Sequence, residues 1–194
     1  GKALFDAIGS ALGPLDLIAE DLGEMDEGVL RLLEETGFPR MKVIEFAFDG
    51  NPDNPHLPKN IEKNCVCYTG THDNDTLVGF LSSMQGWEFE NFARIVKPHL
   101  RAAGIPARLS SPKGAAACLR ALALSVRSEL CVLPMQDILL LGGDARMNVP
   151  GTPSGNWRFR LAKLPSARIA EECRALLSRC LLYTSPSPRD PKTS

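Results

Sequence analysis

Four short stretches gather side chains that could do chemistry. The run Tyr68-Thr69-Gly70-Thr71-His72-Asp73-Asn74-Asp75-Thr76 closes an apolar segment with a dense set of proton-exchanging groups. Glu20-Asp21 follows Leu17-Ile18-Ala19, Glu45 and Asp49 follow a second apolar run, and Gln136-Asp137 follows a third. Two carboxyl groups on one rim, one delivering a proton and one ionised, suit cleavage of a glycosidic bond. His72, Asp73 and Asp75 are also the residue types of a divalent cation site, and so of a metal-dependent hydrolase. Adjacent residues on an extended strand diverge to opposite faces, however, which makes a His72/Asp73 chelate awkward. The structural alternatives are plain: Asn74 or Asp75 ahead of Thr76-Leu77 suits a helix N-cap, and Asp21 can serve the following helix in the same way. Glu20, after three apolar residues, would be an unusual group to bury at a strand end without a partner or a task.

The elements that must position these groups read as alternating strands and helices. Residues 15–20, 41–48, 65–69 and 130–135 are short, continuous apolar runs, the pattern of strands buried on both faces. Residues 25–35, with Val29, Leu32 and Leu33 inward, and 74–84, with Leu77, Val78, Phe80 and Leu81, read as helices. Further helices are expected over 2–12, 87–100, 112–124 and 167–178, the last closing the fold. Such alternation implies parallel strands with right-handed crossovers, hence an α/β barrel or a doubly wound sheet. The four polar clusters then share one rim. Residues 50–60, holding Pro52, Pro55 and Pro58, and residues 142–155 read as loops.

Composition narrows the partners. A chain of 194 residues, 44% hydrophobic and 23% charged with a net charge of −1, has a core but no basic stripe for nucleic acid and no basic amphipathic helix for a membrane surface. No apolar stretch approaches the ~20 residues of a membrane span and no signal-peptide pattern opens the chain, so a cytoplasmic location and a neutral partner are expected. The six cysteines fall in apolar contexts without paired zinc spacings. Cys65 and Cys67 share a strand face, but they read as buried small apolar residues rather than ligands.

Six separated motifs occur in order: Ile18-Ala19-Glu20-Asp21-Leu22-Gly23, Pro39-Arg40-Met41-Lys42-Val43, Asn54-Pro55-His56-Leu57-Pro58, the Tyr68 to Thr76 run, Pro134-Met135-Gln136-Asp137, and Arg146-Met147-Asn148-Val149-Pro150-Gly151-Thr152 with Asn156-Trp157-Arg158-Phe159-Arg160. Together, over residues 15–179, they closely resemble the C-terminal half of glycoside hydrolase family 77, the 4-alpha-glucanotransferases or amylomaltases. The resemblance implies an α/β fold, the C-terminal half of a (β/α)8 TIM barrel of the α-amylase type. It implies retaining transfer of α-1,4-glucan segments to an acceptor sugar, with maltooligosaccharides as partners and no cofactor or metal. On that resemblance Glu20 is the general acid/base and Asp73 stabilises the transition state. His72 and Asn148 contact sugar. Lys59 stands where the family usually has His, and Phe159 where Trp is common.

The family's nucleophile is an Asp on the strand before the one ending at Glu20, and so upstream of Gly1. The chain therefore reads as truncated at its N-terminus and inactive by itself, a maltodextrin-binding remnant being the alternative. Residues 1–179 are the barrel part. Residues 180–194 read either as a translated sequencing adapter or as a Ser/Pro-rich disordered tail.

Overall fold

The computed structural model describes residues 1–178; the expected tail at 180–194 lies outside the described residues. Three parallel strands, β1 (Arg40–Val43), β2 (Cys65–Tyr68) and β3 (Leu130–Val132), form one sheet in the order β1-β2-β3. Helices α1 (Lys2–Leu12) and α2 (Glu27–Thr36) precede β1. Between β2 and β3 run α3 (Leu77–Ser83), α4 (Gly86–Ala102) and α5 (Pro112–Ala123), and after β3 come α6 (Met135–Ile138) and α7 (Ala167–Leu177). The parallel pairing and the helical crossover are those of an α/β fold.

The core lies between the sheet and α3, α4 and α5. Ile44, Cys65, Cys67, Leu81, Val96 and Leu119 are each at most 2% exposed. Cys65 and Cys67 are free thiols on one face of β2, so they serve as small apolar residues, as their context implied. Asn54 organises the proline-rich loop: its Nδ2 donates to Phe46 O at 2.8 Å and its Oδ1 accepts from His56 N at 2.8 Å.

Several expectations are corrected. The run 15–20 makes no strand, only a single parallel bridge from Ala19 to Arg40, and Leu17 and Ile18 are exposed. The cause is that side chains take the N–H groups of β1 that a continuing strand would use. Met41 N donates to Asp21 Oδ1 at 2.9 Å, and Val43 N donates to His56 Nδ1 at 3.1 Å. Burial and the Lys42 ammonium push the His56 pKa down, which favours the neutral ring that can accept this bond. Asp21 also pairs with Lys42 Nζ at 3.2 Å, with both side chains at most 10% exposed. Asp21 is therefore a clamp on β1 and not the cap of α2, which Asp26 supplies by accepting from Val29 N at 2.8 Å.

The run 41–48 is strand only to Val43 and then tightens into a 3-10 turn, Ile44–Phe46. Likewise 130–135 is strand only to Val132, with α6 starting at Met135; Leu130 and Val132 are exposed, so β3 is not covered on both faces. The helix expected over 74–84 starts at Leu77, and its cap is Thr76, whose Oγ1 accepts from Gly79 N at 3.0 Å. On α2, Leu33 is buried but Val29 is exposed. No residue of α7 is buried; the helix rests on the fold without closing it.

Candidate active site

The loop after β2 is folded by its own side chains. Asn74 Oδ1 accepts from Thr71 N at 2.9 Å and from Thr71 Oγ1 at 2.8 Å, and Asp73 N donates to Thr71 Oγ1 at 3.3 Å. Asn74 thus shapes the loop, as Asx residues do in tight turns. That conformation leaves His72 and Asp73 about half exposed, with His72 Nε2 3.4 Å from Asp73 Oδ1.

The loop after α6 docks on this one through Arg146 and Asn148. Asn148 Nδ2 donates to Asp73 Oδ1 at 2.6 Å. Arg146 donates twice to backbone carbonyls, Nη2 to Asp73 O at 2.6 Å and Nε to Asn148 O at 2.8 Å. The planar guanidinium fork suits this double contact and fixes the two loops against each other. The residues marked by the sequence as His72, Asp73 and Asn148 are therefore brought together, from segments 75 positions apart.

Glu20 is not joined to them. It is exposed, and its side chain makes no hydrogen bond or ion pair among the described residues. The expectation of a buried Glu20 is overturned because its segment forms one bridge where a full strand was expected. That bridge still carries Glu20 toward Met41, a residue of the cleft wall.

The cleft itself is about 440 Å³ and opens at the C-terminal ends of the strands, between Tyr68, Val132, His72, Arg146, Met147 and Trp157. Beneath it sits a carboxyl group to which the sequence reading gave a rim position but no role. Glu45, on the 3-10 turn, is pushed up from 4.5 to about 8, first by burial, then by Asp137 and Asp75, with Arg146 opposing. Its Oε2 is buried without a hydrogen-bond partner among the described residues. The chain passes close by: a Cβ at Gly70 would lie 3.0 Å from that oxygen, a tight contact. Asp49, expected on the same rim, instead accepts from Asn51 N at 2.8 Å in an exposed turn.

Asp137 proves to be a tie between elements. It accepts from Thr69 Oγ1 at 2.5 Å and from Leu77 N at 2.8 Å, linking β2, α3 and α6, and is 2% exposed. Burial raises its pKa, with the Thr69 and Leu77 bonds opposing. Gln136 Nε2 donates to Ala145 O at 3.2 Å and holds the start of the next loop. Among the described residues no three His, Cys, Asp or Glu side chains are arranged to hold a metal ion. Asp75 does not join His72 and Asp73 as ligands; its carboxylate accepts from Thr76 N at 2.7 Å and lies between Gly79 and Gly143.

Arg146 and Trp157 also escaped assignment from sequence. Arg146 stands two residues before Asn148 in one motif, which was the available sign. Trp157 lies tilted beside His72, the ring centroids 5.1 Å apart at 36°.

The sequence profile of glycoside hydrolase family 77, 4-alpha-glucanotransferase, matches residues 1–165. The chloroplastic/amyloplastic 4-alpha-glucanotransferase of Solanum tuberosum is 41% identical over 161 residues, 83% of this chain and 26% of that protein. The 4-alpha-glucanotransferase of Synechocystis sp. is 44% identical over 162 residues, 82% of this chain and 30% of that protein. Amylomaltase from Streptococcus agalactiae, solved in complex with acarbose, superposes with a TM-score of 0.75 at 33% identity, over 92% of this chain and 35% of that one. The chain thus spans between about a quarter and about a third of the proteins it matches. With a profile match over residues 1–165 of 194, the chain belongs to the 4-alpha-glucanotransferase family.

Proposed function

We propose that this chain is the part of a 4-alpha-glucanotransferase that carries the acid/base and the transition-state stabiliser, acting on α-1,4-glucans by retaining double displacement. Its sheet is the C-terminal half of a (β/α)8 barrel, a reading supported by parallel strands that open one cleft at their C-terminal ends. The observation that carries the proposal is the Asp73 carboxylate, which accepts from Asn148 of the facing loop and lies 3.4 Å from the ring of His72, a residue lining the cleft.

The chemistry follows from that placement. A glycosidic oxygen leaves only when protonated, and Glu20 supplies that proton and takes one back from the acceptor hydroxyl. Positive charge develops on the sugar ring in the transition state. Asp73, fixed in advance by Asn148, stabilises it without reorganising. His72 and Asn148 grip hydroxyls around the same ring. The attacking carboxylate comes from outside the assigned residues. Because the chain spans 26% of the Solanum protein, we place turnover in a longer polypeptide and none in the 194 residues alone.

The test is disproportionation of maltotriose to glucose and longer maltodextrins by the longer polypeptide containing this chain. Asp73→Asn and Glu20→Gln should each lower turnover by on the order of 10²–10³-fold or more, with the fold retained by circular dichroism. Unchanged turnover in Asp73→Asn overturns the assignment; turnover by the 194-residue chain alone overturns the placement.

A further inference from the structure

Trp157 is held in a way that folding alone does not explain. Its φ is +61°, a left-handed conformation uncommon for any residue with a side chain and most strained for bulky ones. The ring is 55% exposed, so burial does not offset the strain. The conformation is imposed by the loop around it. Trp157 N donates to Met147 O at 2.7 Å, Asn156 Oδ1 accepts from Val149 N at 3.0 Å, and Asn156 Nδ2 donates to Thr152 Oγ1 at 2.9 Å. The result is an indole displayed in the cleft wall, beside His72 and close to the Asn148–Asp73 pair.

Bulky side chains in strained backbone persist where the surroundings over-determine them, most often at ligand clamps. The rest of the cleft supplies polar groups: His72, Asp75, Gln136 and Arg146. One flat apolar plate edged by hydrogen-bonding groups matches a pyranose ring, which has an apolar C–H face and a rim of hydroxyls.

We infer that Trp157 is a sugar-stacking platform, seating one glucose unit of an α-1,4-glucan against its indole while His72 meets that unit's hydroxyl edge. This rests on the transferase reading above and adds to it a binding residue that performs no chemistry. The strain is then retained because the loop that displays the indole also delivers Asn148 to Asp73. Trp87, the other tryptophan, is 67% exposed on α4 and lines no part of the cleft, so it can be replaced without touching the cleft.

The experiment is a maltotriose titration of the full chain in a Trp87→Phe background, followed by tryptophan fluorescence and, independently, by calorimetry. The expected result is a saturable change in Trp157 emission, with affinity weakened roughly tenfold by Trp157→Ala and largely restored by Trp157→Tyr, which keeps a flat aromatic face. Equal folding of the variants is checked by circular dichroism, and Asp73 is left untouched in the titrations. Saturable calorimetric binding with the same affinity in Trp157→Ala overturns the inference, as does no emission change at saturation. In the longer polypeptide, Trp157→Ala should raise KM for maltotriose far more than it lowers kcat. If Trp157→Ala leaves KM unchanged while Asp73→Asn abolishes turnover, the platform falls and the transferase reading stands. If Asp73→Asn has no effect, the transferase reading itself falls.

Discussion

Glu45→Gln isolates the one carboxyl whose protonation the fold controls most strongly. The folded protein raises it from 4.5 to about 8, because burial removes water and Asp137 and Asp75 add negative charge, against a smaller opposing effect of Arg146. Between those two pH values the folded state keeps a proton that the unfolded chain has released. Stability from this group is therefore fully present below about pH 4.5 and is lost as pH rises through 8. At about 1.36 kcal/mol per tenfold in proton affinity, the whole excursion is worth on the order of 5 kcal/mol. Glutamine keeps the shape and cannot ionise, so it removes this slope. Urea unfolding of parent and variant at pH 5.5 and pH 9 provides the assay. The variant should be the more stable by about 1 kcal/mol at pH 5.5 and by a few kcal/mol at pH 9, the latter a midpoint shift of about 1 M or more at a typical urea m-value. Asp137 and Asp75 remain in both proteins, so the difference between the two pH profiles reports Glu45 and its coupling to them. Parallel profiles for parent and variant would refute the argument, since they would mean that Glu45 ionises freely where the structure buries it.

Two further perturbations probe the supports of the site. Asp21→Ala leaves Lys42 almost fully buried without its partner and should cost about 3–5 kcal/mol in denaturant unfolding; a loss below about 1 kcal/mol would show that the pair is solvated. Arg146→Ala releases both loop carbonyls and should lower kcat of the longer polypeptide by on the order of 10²-fold, because small misplacements of a reacting group are that expensive. Arg146→Lys should recover only part of this, since an ammonium lacks the fork that reaches both carbonyls. A change confined to KM would argue against a positioning role.

How far the fold was legible depended on how local its determinants were. Helix α5 agrees with its pattern because Ser111 caps it, Pro112 starts it and its apolar residues face the core, all within one stretch of chain. The run 15–20 failed for a non-local reason. An apolar segment is strand only if a neighbour offers free N–H and C=O groups, and here Asp21 and His56 had taken those of Met41 and Val43. The cap of α3 was misplaced by one or two residues because Asn74, Asp75 and Thr76 are all competent caps. What decided among them was that Asn74 turned back to Thr71 and Asp137 reached in from α6.

By itself the sequence determined the family, through motifs in order, and it named Glu20, His72, Asp73 and Asn148 as the candidate groups for handling protons and sugars. Side-chain chemistry is intrinsic to each residue, and so survives without coordinates. The tertiary structure alone decided which of these groups meet: parallel crossovers carry the C-terminal strand ends to one edge, where Asn148 closes on Asp73 across 75 positions of chain. It also decided which groups change character there. Glu45 became a proton-holding acid and Trp157 a displayed plate through burial, neighbouring charge and an imposed backbone conformation, properties that belong to a place in the fold and not to a residue.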